Sequence, residues 1–176
     1  EKIVAWLHEK VAQAQGCKVQ DQSASLAQIA IQGPASRDIL ATVGLADLST
    51  LKIRHCLDAT LCGHATLVTR TGYTGELGYE LYLPAAGAPT VWDRLLEAGR
   101  PLGIKPAGLG ARDLLRLEMA YLLYGNDMNE ETTPIEAGAE WVVKFDKGDF
   151  IGRTELLAQQ SQGAARRLVA FELVEK

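Results

Sequence analysis

The chain has 176 residues, a formal net charge of −4, 47% hydrophobic and 23% charged residues, the balance of a globular protein. Its apolar content excludes an intrinsically disordered chain, and 17 Gly and 6 Pro without a fixed period exclude a collagen-like one. No stretch reaches the roughly 20 apolar residues of a membrane-spanning helix, and the surplus of 22 acidic over 18 basic residues argues against nucleic acid as the main partner, because phosphate binding is driven by clustered cations. Cys17, Cys56 and Cys62 are odd in number and form no C-x-x-C pair, so a reducing compartment is expected rather than a disulfide scaffold. The chain opens at Glu1 without Met or a signal-peptide pattern and stops at Lys176 just after a strand-like run, so both ends are expected to be cuts in a longer polypeptide.

In chain order, residues 2–15 read as a helix with Ile3, Trp6, Leu7 and Val11 on one face, stopped by Gly16. Residues 26–32 alternate as a strand, and Gly33-Pro34 opens a helix over 35–43. Two strands, 53–62 and 65–71, flank a turn at Cys62-Gly63-His64 and predict a hairpin. A glycine-rich turn from Gly72 to Gly78 leads into a strand at 79–83. Helices follow at 89–98, ended by Gly99, and at 109–120. The remainder reads as a strand at 140–145, a helix at 153–161 and a strand at 167–174. A tight hairpin among alternating strands and helices predicts an α+β fold, an antiparallel sheet with flanking helices, rather than a doubly wound one. Gly125 to Gly138 is the longest aperiodic stretch, and it either carries function or wraps the core.

Several chemistries are disfavoured. On one strand, Cys56 and Cys62 would lie roughly 20 Å apart, so a zinc site is the weaker reading and no metal is expected. There is no G-x-S-x-G elbow, no phosphate-binding P-loop, and Gly108-Leu109-Gly110 lacks the third glycine of a dinucleotide fingerprint.

Two clusters carry more. In Arg70-Thr71-Gly72-Tyr73-Thr74-Gly75-Glu76-Leu77-Gly78-Tyr79-Glu80, glycines three apart allow a tight, positive-φ path and close approach to a ligand. The outgoing strand turns Tyr79, Leu81 and Leu83 one way and Glu80 and Tyr82 the other. Glu80 then reads in two ways: a carboxylate receiving two parallel N–H donors of a flat heterocycle such as an aminopyrimidine, or an edge-strand side chain in water. In the helix from Leu109, Arg112 in the first turn opposes the helix dipole and repels Arg116 one turn on. Either an anion or carboxylate faces Arg112, Glu80 among the candidates, or Asp113, Glu118 and solvent screen the pair.

These residues also carry a resemblance. The run from Arg70 to Glu76 is followed in order by Pro106-Ala107-Gly108-Leu109-Gly110-Ala111-Arg112-Asp113, Arg116-Leu117-Glu118, Leu123-Tyr124-Gly125-Asn126-Asp127, Thr132-Thr133-Pro134-Ile135-Glu136-Ala137-Gly138, Trp141-Val142-Val143-Lys144 and Asp149-Phe150-Ile151-Gly152. Together they resemble the T-protein of the glycine cleavage system, the tetrahydrofolate-dependent aminomethyltransferase, over nearly the whole chain. The resemblance implies transfer of a methylene carbon from the lipoyl arm of the H-protein to tetrahydrofolate, with release of ammonia. It implies that Glu80 holds the pterin, that Arg112 contacts the folate site and that Tyr73 lines the same pocket; the outward register of Glu80 and the otherwise awkward first-turn Arg112 predict that these two face one cleft. Residues 1–176 would be the central folate-binding region, contributing to two intertwined α+β subdomains, in the cytoplasm or a mitochondrial matrix. The family's catalytic aspartate would lie upstream of Glu1 and its C-terminal barrel beyond Lys176. The chain would then hold no catalytic residue and be silent in aminomethyl transfer by itself. Leu77-Gly78-Tyr79 stands where that family commonly has Asp-Gly-Phe and resembles the folate domains of sarcosine and dimethylglycine dehydrogenases. A one-carbon domain of that kind and a non-catalytic folate-fold module are therefore the alternatives.

Overall fold

The computed structural model describes residues 2–13, 16–45, 47–172 and 174. The chain divides into two compact units, Glu1–Gly108 and Leu109–Lys176.

The first unit is built on a four-stranded antiparallel sheet of β1 (Leu26–Gln32), β2 (Cys56–Leu61), β3 (His64–Thr69) and β4 (Gly78–Pro84), in the order β1-β4-β3-β2. Strict alternation sends Ile29, Ile31, Val68, Leu61, Tyr79, Leu81 and Leu83 to one face. There they meet Ile39 and Leu40 of α2 (Ser36–Thr42) and Val91 and Leu95 of α3 (Ala88–Gly99), with Leu45, Leu48 and Leu51 closing the end of the core. Each such aliphatic side chain contributes about 1.5–3 kcal/mol on full burial, which is what specifies the register: a one-residue slip would turn every one of them outward. The α+β reading with an antiparallel sheet and flanking helices is therefore what the chain adopts.

Local differences from the sequence reading have local causes. The hairpin turn is only Cys62-Gly63: both have positive φ, 52° and 80°, the type I′ geometry that matches strand twist, and His64 already pairs with Leu61. β2 begins at Cys56 rather than residue 53, because Arg54 takes φ 65°, although Arg70 N still donates to His55 O and Arg54 N to Arg70 O beyond the strand ends. Gly99 does not end α3 by a left-handed turn. It is the last helical residue, buried where a Cβ would stand 2.6 Å from Ile104, and the left-handed residue is Gly103, φ 78°, after a 3₁₀ turn. Helix α1 (Lys2–Val11) ends earlier than expected among the described residues, residues 14 and 15 lying outside them, and it buries none of its side chains.

The second unit holds α4 (Leu109–Glu118) and α5 (Arg153–Gln162) joined by irregular chain. Residues 140–145 are not a strand but parts of two 3₁₀ turns, Glu140–Val142 and Phe145–Lys147. No strand forms among the described residues of 167–174 either: Leu168 N donates to Glu136 O, but no ladder continues, and Phe171 stays 84% exposed. A short apolar run alone does not make a strand where no neighbouring strand accepts its backbone bonds.

What orders the aperiodic stretch is a reciprocal cap. Thr133 N donates to Glu136 Oε2 (2.9 Å) and Glu136 N to Thr133 Oγ1 (3.1 Å), a capping box around one helical turn that buries Ile135 and Ala137. Arg166 Nε then donates to the other oxygen of Glu136 at 3.1 Å.

Candidate functional site

The second face of the sheet carries a different set of residues. In register across the strands run Ala30, Glu80, Thr69 and Cys56, and beside them Gln28, Tyr82, Leu67 and Asp58. Glu80 and Tyr82 are half-buried, Gln28 and Leu67 exposed. β4 lies between β1 and β3, so Glu80 is not an edge-strand side chain, and the reading that placed it on an open edge falls.

The Glu80 carboxylate is held from both sides. Gln28 Nε2, on β1, donates to Oε1 at 2.7 Å and, more weakly, to the Tyr82 hydroxyl at 3.2 Å. Thr71 Oγ1, just past the end of β3, donates to Oε2. Thr69 and Thr71 hydroxyls are 2.5 Å apart. A carboxylate only accepts, so Thr71 has committed its single hydrogen to Glu80, and Thr69 must be the donor in that contact. A directed chain results, Thr69 to Thr71 to Glu80. Burial first, and then the charge of Glu80, push the Tyr82 phenol above its ordinary value, so it remains a neutral hydroxyl at physiological pH.

Gln32 positions this group. Its Nε2 donates to Tyr79 O (3.1 Å) and Thr71 O (3.3 Å), bridging the gap where β3 and β4 part. Its amide lies where side chains at Gly72 and Gly78 would be: a Cβ at those positions would stand 2.0 and 1.8 Å from Oε1. Of the three spaced glycines only Gly75 has positive φ, 79°. The space left by Gly72 and Gly78 is thus filled by this chain's own Gln32.

Tyr73 is half-buried, two residues beyond Thr71 in the loop between β3 and β4, and so falls in the same unit as Glu80. Arg112 is exposed in the first turn of α4, in the second unit.

Arg116, one turn along, is only 4% exposed. It donates to Asp113 Oδ1 (2.8 Å), to Tyr121 O (3.0 Å) and to Asp127 Oδ2, which also accepts Leu123 N at 2.8 Å. The bond to Asp113, and against burial that to Asp127, raise its pKa. Screening by Asp113 is therefore correct for Arg116, with Asp127 added. Sequence reasoning missed Gln28, Gln32, Thr69, Thr71 and Asp127. Thr71 and Asp127 lie inside quoted motifs, and Gln28 is an outward position of the alternation in β1.

The first unit is thus an antiparallel α+β fold that carries a doubly braced carboxylate, Glu80, on the sheet face away from its core. Residues 1–147 match the sequence family described as the GCVT N-terminal domain, and the chain belongs to that family. It is 50% identical over 173 residues to an aminomethyltransferase of Halothermothrix orenii, covering 98% of this chain and 48% of that protein. With an aminomethyltransferase of Thermoanaerobacter pseudethanolicus it shares 43% identity over 176 residues, covering 99% and 48%. Among solved structures it is similar to the glycine cleavage system aminomethyltransferase T from Bartonella henselae, with TM-score 0.78 and 32% identity, covering 93% of this chain and 44% of that one. The chain spans about half the length of the curated relatives it matches.

Proposed function

We propose that this chain supplies the pterin-binding sheet face of a tetrahydrofolate-dependent aminomethyltransferase. In that reaction a methylene carbon passes from the lipoyl arm of the H-protein to tetrahydrofolate, and ammonia leaves. The observation that carries the reading is the state of Glu80. Each carboxylate oxygen takes one donor from the chain itself, Gln28 or Thr71, so each keeps acceptor capacity for a ligand. Two acceptors on one planar group match the adjacent ring N–H and exocyclic amine of a pterin, a pairing worth more than two neutral bonds because the acceptor is charged. Tetrahydrofolate, when bound, supplies the nitrogen that receives the one-carbon unit. Glu80 orients its pterin edge and Tyr73 lines the pocket around it, while Arg112 is assigned to folate contact by the family resemblance of its motif. The catalytic carboxylate is a residue of the family outside this chain. The exposed free thiols of Cys17, Cys56 and Cys62 support a reducing, cytoplasmic setting.

The departure at Leu77-Gly78-Tyr79 does not favour the dehydrogenase-type alternative. Tyr79 is buried on the core face, with Arg37 Nε donating to its hydroxyl at 3.1 Å, and Gly78 accommodates Gln32. These residues answer to packing rather than to the ligand face, and the close relatives are aminomethyltransferases.

The test is calorimetric titration of tetrahydrofolate into the full-length protein, alongside a coupled assay with aminomethylated H-protein. Glu80→Gln leaves one acceptor where the pterin edge needs two, and loss of a charge-assisted bond of about 1.5–3 kcal/mol lowers affinity roughly ten- to hundred-fold. Unchanged affinity, or a large fall in Tm, overturns the assignment.

A further inference from the structure

Resting on the reading of Glu80 as the pterin acceptor, we propose that Thr71 and Gln28 are positioning residues that set the orientation of its carboxylate, and that the Thr69 hydroxyl completes the brace. A glutamate has three rotatable side-chain bonds, and an unbraced one would spread its two oxygens over many directions. Here two donors anchored on two different neighbours of β4 fix both oxygens at once: Gln28 from β1 and Thr71 from the segment leaving β3. Neither donor is itself loose. Gln28 also bonds the Tyr82 hydroxyl, its cross-strand partner in register. Thr71 receives the Thr69 hydroxyl, and its carbonyl is tied by Gln32. Linked hydroxyls polarise one another, so the last donor in the chain, Thr71, is the stronger for having Thr69 behind it. The brace occupies one acceptor site on each oxygen and leaves the other on each. Two parallel N–H groups of a planar ligand need both of those directions together, so tilting the carboxylate weakens both bonds.

The experiment is a double-mutant cycle on the full-length protein, read as the Kd for tetrahydrofolate by calorimetry, with Tm recorded for every variant. Thr71→Val removes the hydroxyl at nearly constant shape and is expected to raise Kd about five- to twentyfold, while Thr71→Ser, which keeps the donor, stays within about threefold of the parent. In the Glu80→Gln background Thr71→Val is expected to add little, since the carboxylate it orients is gone. Gln28→Leu, at an exposed strand position, carries the same cycle if Thr71→Val does not fold. Glu80→Gln that weakens binding together with a neutral Thr71→Val overturns the positioning role and leaves the Glu80 assignment standing. Glu80→Gln that leaves binding unchanged removes the assignment and this proposal with it. Loss from Thr71→Val that is undiminished in the Glu80→Gln background, or that serine does not rescue, also overturns the proposal, because a brace acts only through the group it holds.

Discussion

The amide of Gln32 occupies the position that a side chain at Gly78 would need, its Oε1 standing 1.8 Å from where a Cβ would be. Since the nitrogen of that amide faces two carbonyls, Tyr79 O and Thr71 O, the orientation of the amide is set by its acceptors. The glycine therefore works through a polar staple between the ends of β3 and β4.

Gly78→Ala is expected to displace Gln32 and leave two backbone carbonyls without their donor, a loss of about 1–3 kcal/mol. Urea unfolding measures it. If the clash is with Gln32, then Gln32→Ala and Gly78→Ala together should cost less than the sum of the two singly. Strict additivity would place the cost elsewhere.

In the second unit, Asp127 should matter more to stability than Asp113. Both accept from buried Arg116, but only Asp127 also accepts Leu123 N. Its removal leaves a buried cation and a backbone donor under-satisfied together. Asp127→Ala is expected to lower Tm by roughly 5–10 °C, on the scale by which small domains respond to one strong lost contact, and Asp113→Ala by less. Equal shifts in a thermal melt would contradict the arrangement.

Glu136 makes a contribution that depends on pH. The backbone N–H of Thr133 first, and the Arg166 guanidinium beside it, hold its carboxyl below the usual value against the opposing effect of burial. A carboxyl with a lowered folded pKa stabilises fully above its unfolded value, about 4.3, and loses that contribution as pH falls through the folded value. Thermal melts from neutral pH down to acid should therefore show a loss beginning near pH 5 that is shallower in Glu136→Gln. Parallel curves for parent and variant would show that the cap does not couple to protonation.

The Tyr82 phenol offers a check on the open sheet face that needs no ligand. It should titrate above the ordinary tyrosine value of about 10, because of burial and then of Glu80. In Glu80→Gln the charge is gone and burial remains, so the pKa should fall part of the way back. NMR titration of ring-labelled tyrosine follows it directly, and an unchanged value in the variant would separate Tyr82 from Glu80.

The outward register of Glu80, the two apolar faces that make the core, and the helices with their own 3.6-residue period were all legible in the amino-acid order, because each depends on repeats within a few residues. The motifs likewise sufficed to indicate the family. Tertiary structure alone decided that β4 lies inside the sheet, since strand order is a matter of which distant segments pair. That placement brings Gln28, 52 positions away, and Thr71, 9 positions away, onto the same carboxylate. It also decided that Gly72 and Gly78 make room for Gln32, a side chain that local spacing cannot see. The strand patterns at 140–145 and 167–174 failed for the converse reason. Their apolar runs, Trp141 to Val143 and Leu168 to Phe171, were local and real, but a strand exists only through the backbone bonds of a neighbour, and among the described residues of the second unit no strand stands beside them.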